Sequence, residues 1–142
     1  MDYKTLHLLL KCGKEFGHRR LRDHGLNDTE SLLCSYVYHH PACSQEEAAR
    51  ALRLDKTTTA KALSSLEKKG FITRQRNAAD GRRNDLLITA AGTDCLKAIS
   101  EYHSAWINDV FSCLSPEEQE TFDGLFCRVL KKAEERLDRE DA

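Results

Sequence analysis

Residues 52–92 read LRLDKTTTAKALSSLEKKGFITRQRNAADGRRNDLLITAAG, and the signals in this stretch decide the fold. Asp55 precedes a run in which Thr59, Leu63 and Leu66 recur at steps of four and three, so it caps a helix that continues to Lys69. Gly70 then suits the C′ position. Thr57, Thr58, Lys61 and Ser65 fall on the face opposite that apolar stripe. Two short β-prone runs follow, 71–76 and 86–89, with Asp80-Gly81 between them, which predicts a hairpin whose long loop, 77–84, projects with Arg82 and Arg83 near its tip. Thr89 can cap a further helix.

Working upstream, Asn27 with Glu30 and Ser44 with Glu47 are two capping-box pairs. The first opens a helix with Leu32, Leu33, Tyr36 and Val37 on its buried side, stopped by Pro41; the second opens a helix over 45–52 with Ala48, Ala49 and Leu52 inward. Before them, Leu6, Leu9, Leu10, Gly13, Phe16 and Leu21 mark an amphipathic helix over 3–23. Downstream, a long helix carries Cys95, Leu96, Ile99, Tyr102, Trp106, Ile107, Val110 and Phe111. Ser115-Pro116-Glu117-Glu118 then opens a last helix expected to bury Phe122, Leu125, Phe126, Val129, Leu130, Ala133 and Leu137 before a fraying acidic tail. Three helices and a hairpin are the layout of a winged helix-turn-helix, whose third helix enters the DNA major groove while the hairpin tip reaches alongside. The predicted class is therefore mostly α with a small β-hairpin wing. Residues 27–89 form the winged helix-turn-helix DNA-binding region, and 1–26 with 90–142 form a helical dimerisation region, intertwined with it as one domain.

The charge pattern points the same way. The 142 residues carry a net charge of −1. Yet residues 50–83 hold ten basic and three acidic side chains, against six and seven before them and six and thirteen after. A basic block on the third helix and wing is what a phosphate-facing surface needs, because each neutralised phosphate releases counterions. The competing reading is a solvated basic face, or a winged helix that binds a protein partner through its acidic closing helices and no DNA at all.

Other classes find no support in the residues. The longest apolar runs are about three residues, far short of the ~20 a membrane helix requires, and the first twenty residues lack the apolar core of a secretory signal, so the expected location is cytoplasmic, with no membrane partner. The six cysteines include no Cys-x-x-Cys pair, so no zinc ribbon or finger is predicted and most of the thiols are expected in the core. His39 and His40 precede Pro41 without a second ligand pair at metal spacing. No nucleotide loop, serine elbow or zinc-protease motif occurs; the chain is not expected to be an enzyme and no cofactor is implied.

The same 52–92 stretch resembles the MarR-type regulators. The turn ending in Leu54, the helix ending LEKKG, the strand with Arg74, the wing with Asp80-x-Arg82, and LITAAG for Leu-x-Thr-x-x-Gly carry the likeness. Ala60 and Lys61 depart from it, standing where relatives often place a hydroxyl and an arginine. The resemblance implies a homodimer closed by the first and the two last helices, bound to double-stranded DNA, repressing or activating transcription under a small molecule or oxidant. It also implies Thr57, Thr58, Lys61 and Ser65 at bases and phosphates, Arg74 and Asp80 within the DNA-binding elements, Arg82 in the minor groove, and Arg83 as a phosphate contact or bystander. Tyr102, His103 and Trp106 are the expected lining of an effector site, if they are not simply packed. Cys12 is the candidate redox thiol by resemblance, although core packing explains the cysteines more economically.

Overall fold

A computed structural model describes residues 2–140 of the chain. The elements run α1 (Tyr3–Asp23), α2 (Asp28–His39), α3 (Gln45–Ala51), α4 (Lys56–Lys68), β1 (Ile72–Arg76), β2 (Asn84–Ile88), α5 (Ala90–Phe111) and α6 (Pro116–Glu140). Contacts divide the chain into one unit up to His103 and a second from Ser104.

Local chemistry sets the helix starts. Asn27 and Ser44 each accept from the amide three residues on, at 2.9 and 3.1 Å, while Glu30 and Glu47 accept the reciprocal bonds at 2.9 and 2.6 Å. Both capping boxes are complete, and each satisfies two amides that would otherwise lack a partner. Asp55 accepts from the Thr58 amide at 2.8 Å to start α4, and Ser115 with Glu118 forms the corresponding pair before α6.

Helix ends in the first unit share one device. Gly25, Arg53 and Gly70 follow the C-caps of α1, α3 and α4 and all take positive φ, at 68°, 51° and 75°. Glycine adopts this region freely, whereas a side chain there costs on the order of 1 kcal/mol.

The first unit's core forms where α2, α3, α4 and the hairpin converge. Leu33, Cys34, Val37, Leu63, Leu66, Ile72 and Leu86 are almost wholly shielded, each large aliphatic side chain contributing roughly 1.5–3 kcal/mol. The strands pair antiparallel, with Ile72 opposite Ile88 and Arg76 opposite Asn84. Cys43 bridges to Leu86, whose amide donates to the Cys43 carbonyl at 2.8 Å, so the α2–α3 connection acts as a short third edge of the hairpin.

The Leu-x-Thr-x-x-Gly segment acquires a physical meaning at the base of the wing. The Thr89 hydroxyl donates to the Gly70 carbonyl at 2.6 Å and accepts from the Gly92 amide at 3.0 Å, joining the end of α4 to the start of α5. A Cβ on Gly92 would lie 2.2 Å from the Phe71 carbonyl oxygen, so α5 can approach the hairpin this closely only without a side chain there.

Several burial expectations are corrected. Leu32 is exposed, because the inward face of α2 runs through Glu30, Leu33, Cys34 and Val37, one step away from the assumed stripe. Cys34, Cys43 and Cys95 are buried, but Cys12, Cys113 and Cys127 are exposed, so only half the thiols belong to the core. The largest difference is α6. Phe122, Leu125, Phe126, Val129, Leu130 and Leu137 are all exposed among the described residues. Within the second unit, Phe122 stacks on Phe126 and meets Phe111 edge-on. On α1, Leu9 and Leu10 are likewise exposed. Residues 141–142 of the expected acidic tail lie outside the described residues.

Candidate nucleic-acid interface

Residue by residue, α4 sorts its polar side chains into outward and committed ones. Thr57 and Lys61 are exposed. Thr59 is fully buried, its hydroxyl donating to the Asp55 carbonyl at 2.8 Å, as its place in the apolar stripe predicts. The Thr58 hydroxyl donates to the Asp55 carboxylate, and this bond, followed by the Thr58 amide, holds that carboxyl below its ordinary value. Ser65 is half-buried, and its hydroxyl helps to lower the pKa of the Glu30 carboxyl on α2. Thr58, Lys61 and Ser65 line one open cleft of about 530 Å³ with His18, Asn27 and Asp28.

Glu30 is the charged anchor beneath this surface. Only 3 % of it is exposed, and Lys69 Nζ donates to its two oxygens at 2.7 and 2.8 Å. Burial pushes its carboxyl up, but Lys69, Ser65 and the Asn27 amide together outweigh that and hold it below the usual range. The capping-box signal marked Glu30 as local. Its second partner, 39 residues away, had no signature in the sequence.

Arg74 lies between two helices: its Nε is 3.3 Å from Glu67 on α4 and its Nη1 donates to Gln45 on α3 at 3.3 Å. This pairing seats β1 against the helix-turn-helix. In the wing, Asn77 Oδ1 accepts from the amides of Ala79 and Asp80, its Nδ2 donates to Asp85, and Arg76 Nε donates to the Gly81 carbonyl at 2.7 Å. Asp80 accepts from the Arg82 backbone amide at 3.0 Å, so it shapes the turn through the main chain and not by holding the Arg82 guanidinium.

The two wing arginines have different surroundings. Arg83 donates to Asp85 at 3.1 Å, to Glu47 at 3.1 Å and to the Ala42 carbonyl at 2.9 Å. Its guanidinium therefore ties the wing to the start of α3, and Asp85 first, then the Glu47 charge, raise its pKa further. Glu47 serves this contact and its own capping box at once; the Ser44 amide is the main reason its carboxyl is held low. Arg82 is exposed, and its side chain forms no hydrogen bond or ion pair among the described residues.

The effector candidates are not gathered into one described site. Tyr102 stacks on Phe16 with ring centroids 4.4 Å apart, under Arg20. His103 is packed so close to Gly17 that a Cβ there would stand 2.8 Å from its Nε2. It also lines a shallow cleft of about 300 Å³ with Gly17, Leu21 and Leu32. Trp106 belongs to the second unit. Cys12 is exposed on α1, while burial pushes the Cys34 thiol up to about 12, with neighbouring Cys95 adding to the shift. Among the described residues no group of three His, Cys, Asp or Glu side chains is placed to hold a metal, and no helix is long and apolar enough to cross a membrane.

With this geometry in view, comparison with known proteins identifies its kind. The model of the MarR family matches residues 24–83. The HTH-type transcriptional regulator BilQ of Clostridium symbiosum is 35% identical over 103 residues, covering 72% of this chain and 71% of that protein. An uncharacterized HTH-type transcriptional regulator of Bacillus subtilis, YwhA, is 26% identical over 84% of this chain and 86% of its own length. Among solved structures, the crystal structure of MarR superposes with a TM-score of 0.82 at 27% identity, covering 99% of this chain and 95% of that one. The DNA complex of Staphylococcus aureus MepR gives 0.77 at 24% identity over 93% and 98%.

Proposed function

The chain belongs to the MarR family of transcriptional regulators, which are not enzymes, and on that premise we propose that it is a cytoplasmic, homodimeric repressor that binds a pseudo-palindromic operator and is released by a small molecule. The observation that carries this reading is the wing. Its loop is pinned by Asn77, Asp80, Arg76 and Arg83, yet it leaves Arg82 exposed and unengaged at the tip. A rigid loop presenting one uncommitted arginine suits a narrow minor groove, where the negative potential is enhanced. Thr57 and Lys61 offer exposed donors on the recognition helix, suited to base edges and phosphates in the adjoining major groove. Thr58 and Ser65 border the same cleft, and Thr58 also holds Asp55, so its contribution to DNA is the shape and position of α4 as much as direct contact.

For the effector, the proposed lining residues are Tyr102 and His103 in the first unit, with Trp106 in the second unit a separate candidate. Reversible oxidation is not the proposed switch: the buried thiols Cys34, Cys43 and Cys95 are held as thiols by desolvation, and Cys12, exposed like Cys113 and Cys127, is the proposed candidate should an oxidant act. The test is selection of bound genomic fragments from the source organism, followed by salt titration on a recovered duplex. Enrichment of a two-fold symmetric site with a steep salt dependence is expected. Failure to enrich any duplex, together with salt-insensitive binding, sinks this reading and favours the protein-partner module.

A further inference from the structure

Several cations around the proposed interface are already engaged within the chain. Lys69 pairs with Glu30, Arg74 with Glu67, and Arg83 with Glu47 and Asp85. Arg50, in the last turn of α3, and Lys56, the first residue of α4, differ from these. Both are exposed, and neither side chain forms a hydrogen bond or ion pair among the described residues. Together they border one cleft of about 360 Å³ with Gln45, Glu46, Ala49 and Leu54, and two cations against the one carboxylate leave its lining net positive. Lys56 gains nothing from its own helix, because it stands at the positive end of the α4 macrodipole.

Gln45 adds a neutral donor to the same cleft. A guanidinium can only donate, so the bond from Arg74 Nη1 at 3.3 Å fixes the Gln45 amide with Oε1 toward Arg74 and leaves its Nε2 hydrogens for another acceptor. Arg74 is itself steadied by Glu67, 3.3 Å from its Nε. We infer that this cleft seats one backbone phosphate of the duplex between Arg50 and Lys56, with Gln45 as hydrogen-bond donor and Arg74 as the residue that positions Gln45. Thr57 follows Lys56 directly, so the seat is continuous with the outward surface of α4; it fixes where that helix enters the groove and reads no base. This inference rests on the DNA-binding reading above and adds a contact outside the recognition face and the wing.

Salt titration on the duplex recovered by genomic selection tests the seat. Arg50→Gln combined with Lys56→Gln removes both cations from exposed positions, so helix content should match the parent's. Its log–log salt slope should fall by about 0.9 per bound chain, one phosphate's worth, with the same proportional loss of affinity on a single-base variant of that duplex. Arg50→Lys combined with Lys56→Arg, which exchanges the two cations, should keep the parent slope. Arg74→Met should weaken binding at a parent-like slope, and should weaken it far less when Gln45→Ala is already present, since a residue acting through Gln45 loses its effect with that side chain. A parent-like slope for the double glutamine variant overturns the seat while leaving the proposed function standing. So does a loss confined to base discrimination. Equal losses from Arg74→Met with and without Gln45 overturn the positioning role of Arg74. Absence of duplex binding by the parent overturns both the seat and the proposed function.

Discussion

Arg82 and Arg83 are adjacent, identical in type and both near the wing tip, yet their surroundings assign them opposite work. Arg83 is held by Asp85, Glu47 and the Ala42 carbonyl, whereas Arg82 is left exposed. Arg82→Ala is therefore expected to weaken binding to most sequences together and to flatten the salt slope by about two units per dimer, at ~0.9 for each arginine lost. Arg83→Ala should lower affinity through a loosened wing while leaving the slope within about half a unit of the parent. Equal slope losses in the two variants would show that Arg83 also reaches phosphate. The sequence placed both residues correctly on the loop. It did not distinguish them, because the deciding partner, Glu47, lies 36 residues upstream and was legible only as a helix cap. Glu30 was hidden in the same way. Removing its cation in Lys69→Met leaves a buried carboxylate short of a donor, and should cost about 2–3 kcal/mol in denaturant unfolding at neutral pH. Because the folded Glu30 pKa is lowered, the stability its ionised form contributes is complete above the unfolded value near ~4.3 and is lost as pH falls through the folded one. The deficit of Lys69→Met should accordingly shrink on acidification; a deficit independent of pH down to acid unfolding would contradict the ion pair.

At the scale of elements, the parts most legible in the sequence were those whose physics is local. Caps at Asn27, Ser44, Asp55 and Ser115 need only residues three apart, and each stands where its spacing predicts. Apolar stripes fixed which helices are amphipathic but not always the inward face: the stripe on α2 is rotated from the expected one, leaving Leu32 outside and Glu30 inside. Close approaches left no periodic trace. Gly92 looks like an ordinary helix glycine, and its importance comes from the Phe71 carbonyl that α5 abuts. Gly92→Ala must push α5 away from the hairpin and strain the Thr89 bonds to Gly70 and Gly92, at a cost of about 1–3 kcal/mol. Denaturant midpoints report it, and Gly124→Ala serves as the control, because a Cβ there meets nothing within 4 Å. If the two substitutions shift stability equally, the junction of hairpin and α5 is looser than the contacts indicate.

For the whole molecule, the decisive observation is the uncovered apolar surface. Leu125, Phe126, Val129 and Leu130 lie along one side of α6, with Val129 63 % exposed, and α1 presents Leu8, Leu9 and Leu10. A soluble chain rarely leaves contiguous apolar patches of this kind in water, and the proposed homodimer gives the stripes a partner of the same chemistry. A polar substitution in the middle of the α6 stripe, Phe126→Asp, would place a carboxylate where the partner's apolar face must pack, and burying it unpaired is far costlier than losing the ring. The variant is expected to sediment as a monomer at concentrations where the parent is dimeric, while the first unit, which holds the core of Leu33, Leu63, Leu66 and Leu86, keeps its fold. DNA binding supplies an independent reading of the same event. A monomer presents one recognition helix and one wing in place of two, so its salt slope should be about half the parent's, and its protected site should shrink to a single half-site, losing the second one about one helical turn (~10 base pairs) away. Phe126→Leu, apolar and nearly as large, should leave both measurements unchanged. If Phe126→Asp remains dimeric, the stripe on α6 is not the interface, and the uncovered face of α1 becomes the surface to substitute next.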